Sequence, residues 1–197
     1  MNLSELEKIA TTCIDSPWGC GDPFLENSES QPPYYRFLNK VVRHYKPAFV
    51  VECGVYLATA TVHMCIANAG TMVIGIDPAP HGKAYSATLL YPNMNLLLGY
   101  STEKHIFELV KKQCGDKGIG LLFLDSIHDG DTPRQELELY TPIFAEECLV
   151  CADDVLDHRM YDFWLGMPGE KMTMNFLHPA QYPGMPDAGF GVSIIRK

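Results

Sequence analysis

The chain's 197 residues are 47% apolar and 20% charged, a composition that excludes a disordered, collagenous or disulfide-scaffold protein and suits a single domain over residues 1–197. Fifteen basic against twenty-four acidic residues leave a formal charge of −9. That average field repels phosphate backbones and anionic bilayers, so neither nucleic acid nor a membrane is an expected partner.

No apolar run approaches the roughly eighteen residues of a membrane span, and MNLSELEKIA is amphipathic rather than a signal sequence, which predicts a cytoplasmic protein. Residues 1–33 form an extension: a short helix from Ser4 to about Thr12, then a loop rich in Pro, Gly and Ser. YYRFLNKVVRHY follows as a helix, with Phe37, Val41 and Tyr45 at four-residue spacing and Pro47 as its stop. Beyond it strands and helices alternate. AFVVEC is short and continuously apolar until its end, as a strand buried on both faces is. A helix runs from Ala58 to Asn68 and is closed by Gly70. TMVIGID and NMNLLLG are the next strands, ending at Asp77 and Gly99. Ser101 suits the cap of a helix repeating through Ile106, Leu109, Val110 and Gln113. GIGLLFLD is a fourth strand, and Thr132, Pro133 and Gln135 make a capping-box helix start. CLVCADD and GFGVSIIRK supply two further strands. Seven cysteines, an odd count, predict free thiols. Cys148 and Cys151 have CxxC spacing, but residues three apart in a strand face opposite sides, which argues against a redox or zinc pair.

The alternation implies a parallel sheet covered on both faces, with ligands bound outside the carboxyl ends of the strands. Those ends read Glu52-Cys-Gly54, Asp77-Pro78, Gly99-Tyr-Ser101, Asp125-Ser-Ile-His128 and Asp153-Asp154, and four of the five carry carboxylates. Solubility alone does not require that clustering. Gly54 allows a sharp turn and close approach of a ligand to the backbone. The missing GxGxxG disfavours a pyrophosphate site, and with it a nicotinamide dehydrogenase. Asp77, 23 residues after Gly54, stands near the spacing of an acid that accepts ribose hydroxyls. Together they favour a nucleoside ligand with no phosphate requirement. Each position also has a plainer structural account: Glu52 solvated in a turn, Asp77 shaping an Asp-Pro turn, Ser101 as a helix cap, and Asp153-Asp154 capping a helix near Val155.

VVECGVYLATAT, VIGIDP, LLFLDSIHDGDTPRQELELYTPIF and LVCADDV, in this order and spacing, resemble the class I S-adenosylmethionine-dependent methyltransferases. The closest likeness is to small-molecule O-methyltransferases related to macrocin- and cephalosporin-tailoring enzymes. It covers about residues 35–155 and the final strand. The resemblance implies an α/β, Rossmann-like fold whose mostly parallel seven-stranded sheet has the order 3-2-1-4-5-7-6, with helices on both faces. It puts Glu52 and Gly54 at the methionine part of the cofactor, Asp77 on the ribose, Ser101 near the adenine, and Asp125 between cofactor and metal. The family's third loop glycine is Ala58 here.

Metal-dependent members carry acidic residues where this chain has Asp125, Asp153 and Asp154. Carboxylates on strands about 4.8 Å apart repel unless a proton or a cation lies between them, and Mg²⁺ accepts such oxygen ligands. His128 matches a proton acceptor of the family and could instead orient the carboxylates. The connection 156–187, rich in aromatic residues and Met, is expected to close over the substrate, with Tyr161 and Trp164 as first contacts. The implied reaction is metal-assisted methyl transfer to a hydroxyl of a sugar, diol or catechol. The alternatives are metal-free N- or O-transfer and a non-catalytic cofactor-binding subunit. Relatives of this kind often associate, so a homo-oligomer is compatible.

Overall fold

The buried, continuously apolar runs become the centre of a sheet in the computed structural model, which describes residues 1–14, 22–26, 33–174, 176 and 189–197. Strands β1 (Phe49–Cys53), β2 (Met72–Asp77), β3 (Met94–Leu98), β4 (Ile119–Leu124) and β5 (Phe144–Ala152) are parallel. β6 (Glu170–Met174) and β7 (Phe190–Arg196) close the sheet, β7 running antiparallel to both β5 and β6. The order β3-β2-β1-β4-β5-β7-β6 is the one the resemblance implies.

Helices α1 (Leu3–Ile14), α2 (Pro23–Glu26), α3 (Pro33–Tyr45), α4 (Thr59–Ala67) and α5 (Gly82–Leu90) belong with the core that contains Val50, Phe123 and Cys151. Helices α6 (Lys104–Cys114), α7 (Asp131–Tyr140) and α8 (Tyr161–Gly166) cover the opposite core, with Val51, Ile74 and Cys148. Adjacent strand residues therefore feed different layers, and Cys148 and Cys151 lie apart, each fully buried as a free thiol.

Two helix starts differ from the sequence expectation. α6 begins at Lys104, three residues beyond Ser101, because α7 draws Ser101 inward: Tyr140 Oη donates to its carbonyl (2.8 Å) and Glu136 takes its hydroxyl. The Thr132 capping box does not form. The Asp129 carboxylate accepts from Thr132 N (2.7 Å) and Thr132 Oγ1 (3.1 Å), a charged acceptor at the positive end of α7. Within the connection 156–187, residues 161–166 and 170–174 form α8 and β6, while 175 and 177–187 lie outside the described residues.

Candidate active site

The parallel strands present their C-terminal ends on one edge, and the next residue of each still donates to its neighbour. Gly54 N bonds Ile76 O (2.9 Å), Asp125 N bonds Cys53 O (2.9 Å) and Asp153 N bonds Leu124 O (3.1 Å). The ladder thus fixes where the carboxylates begin. Gly54 has φ +92°, and a Cβ there would fall 2.0 Å from the Asp125 carbonyl oxygen, so only glycine lets the β1 and β4 loops meet. Between them opens a cavity of about 590 Å³ at the switch point of the sheet, lined among others by Glu52, Gly54, Asp77, Ser101 and Asp125.

Asp77 organises the loop above β1. Its Oδ2 accepts from Val55 N (3.0 Å) and Tyr56 N (2.9 Å), and its Oδ1 from Ala79 N (2.7 Å). The Asp-Pro turn and the cavity wall are therefore one structure. Tyr56 (φ 42°) and Ala58 (φ 61°) both adopt left-handed backbone. Ala58 thus takes the conformation a glycine would supply, at a cost of about 1–2 kcal/mol. Glu52 is not a solvated turn residue. It is 1% exposed, accepts from Thr61 Oγ1 at 2.5 Å, and burial raises its carboxyl well above the ordinary range. Glu52, Asp77 and Asp125 line the cavity, and among the described residues no Lys or Arg does.

A second acidic group adjoins the first through Asp125. Ligand atoms of Asp125, His128 and Asp153 lie within 4.8 Å of one another. His128 bridges two carboxylates: Nδ1 stands 2.7 Å from Asp154 Oδ2 and Nε2 3.5 Å from Asp125 Oδ1. These two partners push the imidazole up to about 10, so it is a cation at neutral pH. Burial raises both Asp125 and Asp153, and Asp153 is raised further by its acidic neighbours. Asp154 has left-handed backbone (φ 55°), a conformation Asp tolerates, and no helix starts beside it. Tyr34 Oη donates to Asp153 Oδ2 at 2.9 Å. Burial and the nearby carboxylates raise the phenol far above its usual value, so it keeps that proton.

Tyr161 and Trp164 stand elsewhere. Trp164 packs in the core against β7, where a Cβ on Gly191 would come within 2.7 Å of its ring, and its Nε1 donates to Thr173 Oγ1 at 2.9 Å. Tyr161 is half-exposed in the first turn of α8, and neither residue lines the cavity. Tyr34 and Tyr35 do line it, and no motif announced them; Ser126 lines it too, inside the strand-end segment Asp125-Ser-Ile-His128 but given no role there.

Sheet order and an acidic cavity at the switch point define a class I methyltransferase. More particularly, the model of the rhamnosyl O-methyltransferase/CmcI family matches residues 35–166, and the chain belongs to that family of S-adenosylmethionine-dependent O-methyltransferases. No curated protein matches the sequence significantly. Solved structures share its fold. They include the O-methyltransferase TomG of Streptomyces achromogenes, involved in tomaymycin synthesis and solved with S-adenosylmethionine (14% identity, TM-score 0.67, 100% of this chain and 92% of that one). An O-methyltransferase of Bacillus cereus with S-adenosylhomocysteine aligns at 13% identity and TM-score 0.65, again over 100% and 92%. A methyltransferase of Geobacter sulfurreducens aligns at 17% identity and TM-score 0.61 over 99% and 89%.

Proposed function

We propose that the cavity between Asp77 and Asp125 holds S-adenosylmethionine, and that the adjoining acidic group holds a divalent ion that binds a hydroxylated small-molecule acceptor. One observation carries this reading: three acidic side chains face a single cavity that no lysine or arginine among the described residues lines, and a second acidic group shares Asp125 with it. A lining with acidic groups and no cation leaves a phosphate unpaired and does not repel a sulfonium nucleoside. Glu52 and Gly54 face its methionine part, Asp77 its ribose, and Ser101 its purine.

The cofactor supplies a sulfonium methyl, which an acceptor oxygen takes by in-line displacement, leaving S-adenosylhomocysteine. The chain's own work is alignment at roughly 3 Å and exclusion of water. Tyr34 and Tyr35 wall the cavity, and Tyr34 fixes the Asp153 carboxylate by its hydrogen bond. Asp125 and Asp153 offer hard oxygen donors suited to Mg²⁺, with His128 and Asp154 beside them. Such an ion supplies Lewis acidity that lowers the pKa of a bound hydroxyl, and chelation suits a vicinal diol, catechol or sugar. As an imidazolium His128 cannot take the departing proton, so it would act as the base only where ion binding has first sent its own proton to solvent.

That same imidazolium supports a second reading. It neutralises the carboxylates without any ion, which suits metal-free transfer. Methyl transfer from labelled S-adenosylmethionine to a panel of catechols, diols and sugars, with and without EDTA, separates the two. Loss of turnover in EDTA, restored by Mg²⁺, is expected. Full turnover in EDTA sinks the metal role.

A further inference from the structure

Glu136 lies on the inner face of α7, 0% exposed, where an apolar residue would be ordinary. Burial pushes its carboxyl up to about 7, against the hydrogen bonds from Ser101 and Ser126. Its Oε1 accepts both the Ser101 hydroxyl and the Ser126 hydroxyl (2.7 Å for the latter). Its Oε2 has no hydrogen-bond partner among the described residues. One turn along α7, Tyr140 holds the Ser101 carbonyl, so the helix fixes that residue by main chain and side chain.

A serine hydroxyl has one hydrogen and two lone pairs. Both hydrogens here point to the same carboxylate oxygen. Toward the cavity, which both serines line, their oxygens therefore present lone pairs alone. Two acceptors welcome an amino group and repel a carbonyl. The arrangement is that of ionised Glu136, and of neutral Glu136 with its proton on Oε2.

We propose that Glu136 is a positioning residue that sets the hydrogen-bond sense of Ser101 and Ser126, and so selects a 6-aminopurine nucleoside over its 6-oxo counterpart. This rests on the reading that the Ser101 end of the cavity takes the purine. The test is calorimetric binding of S-adenosylhomocysteine and its deaminated analogue, S-inosylhomocysteine, to the whole protein.

The unaltered protein favours the amino form on the order of 100-fold, because the oxo form sets carbonyl against lone pairs. Glu136→Gln, whose carbonyl still accepts from both hydroxyls, keeps most of that ratio. Glu136→Met matches the length without the acceptor, frees both hydroxyls to rotate, and brings the two ligands within about fivefold. A merely structural role would lower both affinities in parallel. Should the Met variant not fold, the double change Ser101→Ala with Ser126→Ala removes the same acceptors and collapses the ratio. A ratio near one in the unaltered protein, or one unmoved in Glu136→Met or in the serine pair, overturns the proposal while the adenosyl site stands. Failure of the unaltered protein to bind either ligand overturns the adenosyl reading itself.

Discussion

Binding of Mg²⁺ is expected to expel protons, and the amount follows from the geometry. Without an ion, His128 is an imidazolium held between Asp125 and Asp154, up to about 10, and Asp153 is raised by burial and by its acidic neighbours. An ion among these groups requires His128 to be neutral and Asp153 ionised. At pH 7.5 the imidazole is two and a half pH units below its pKa. Removing its proton therefore costs about 3.5 kcal/mol, at about 1.4 kcal/mol per unit. Mg²⁺ affinity should accordingly rise at least tenfold per pH unit between about pH 7 and 9. The assay is calorimetric titration of the protein with MgCl₂ in buffers of differing ionisation enthalpy, whose slope counts the protons. Between one and two protons released per ion is expected at neutral pH. Binding with no proton release and no dependence on pH would refute this account of the cluster.

Other outcomes follow from the same structure. Gly54→Ala places a methyl on the Asp125 carbonyl at φ +92°, so it should destabilise by about 2–4 kcal/mol in urea melts and abolish S-adenosylhomocysteine binding. Asp77→Ala should weaken cofactor binding by about 2–3 kcal/mol while sparing Mg²⁺ affinity, and Asp153→Asn should do the reverse, both read by calorimetry. If the two variants behave alike, the division into cofactor and metal halves is wrong. His128 is raised above its unfolded value, so its contribution to stability is full below about pH 6.5 and fades as pH climbs toward about 10. Melting temperature without Mg²⁺ should fall over that range, and His128→Asn should flatten the fall.

The centre of the sheet was legible because β1, β2 and β4 are buried on both faces and read as continuous apolar runs, and parallel pairing then brings their acidic ends to one edge, whereas β6, with the sequence EKMTM and only Met174 buried, carried no such run. The site was legible where it depends on those ends. It was not legible where it depends on contacts distant in sequence. Tyr34 meets Asp153 across 119 positions, and nothing in YYRFLNK marks which tyrosine reaches that carboxylate. Glu136 sits in ELELY, an unremarkable charged helix until α7 docks and buries it beneath two serines. Ser101 and Thr132 look like caps because local chemistry suits them, but Glu136 and Asp129 compete for the same groups. Trp164 shows the converse: an aromatic residue in an irregular-looking stretch that fills core space over Gly191 and stands outside the cavity lining.

Titration of the protein with S-adenosylmethionine, alongside Asp77→Ala, tests the central claim most directly. One molecule bound per chain, with affinity lost in the variant, is the predicted result. No binding, or binding that the variant leaves untouched, would contradict the assignment of this cavity.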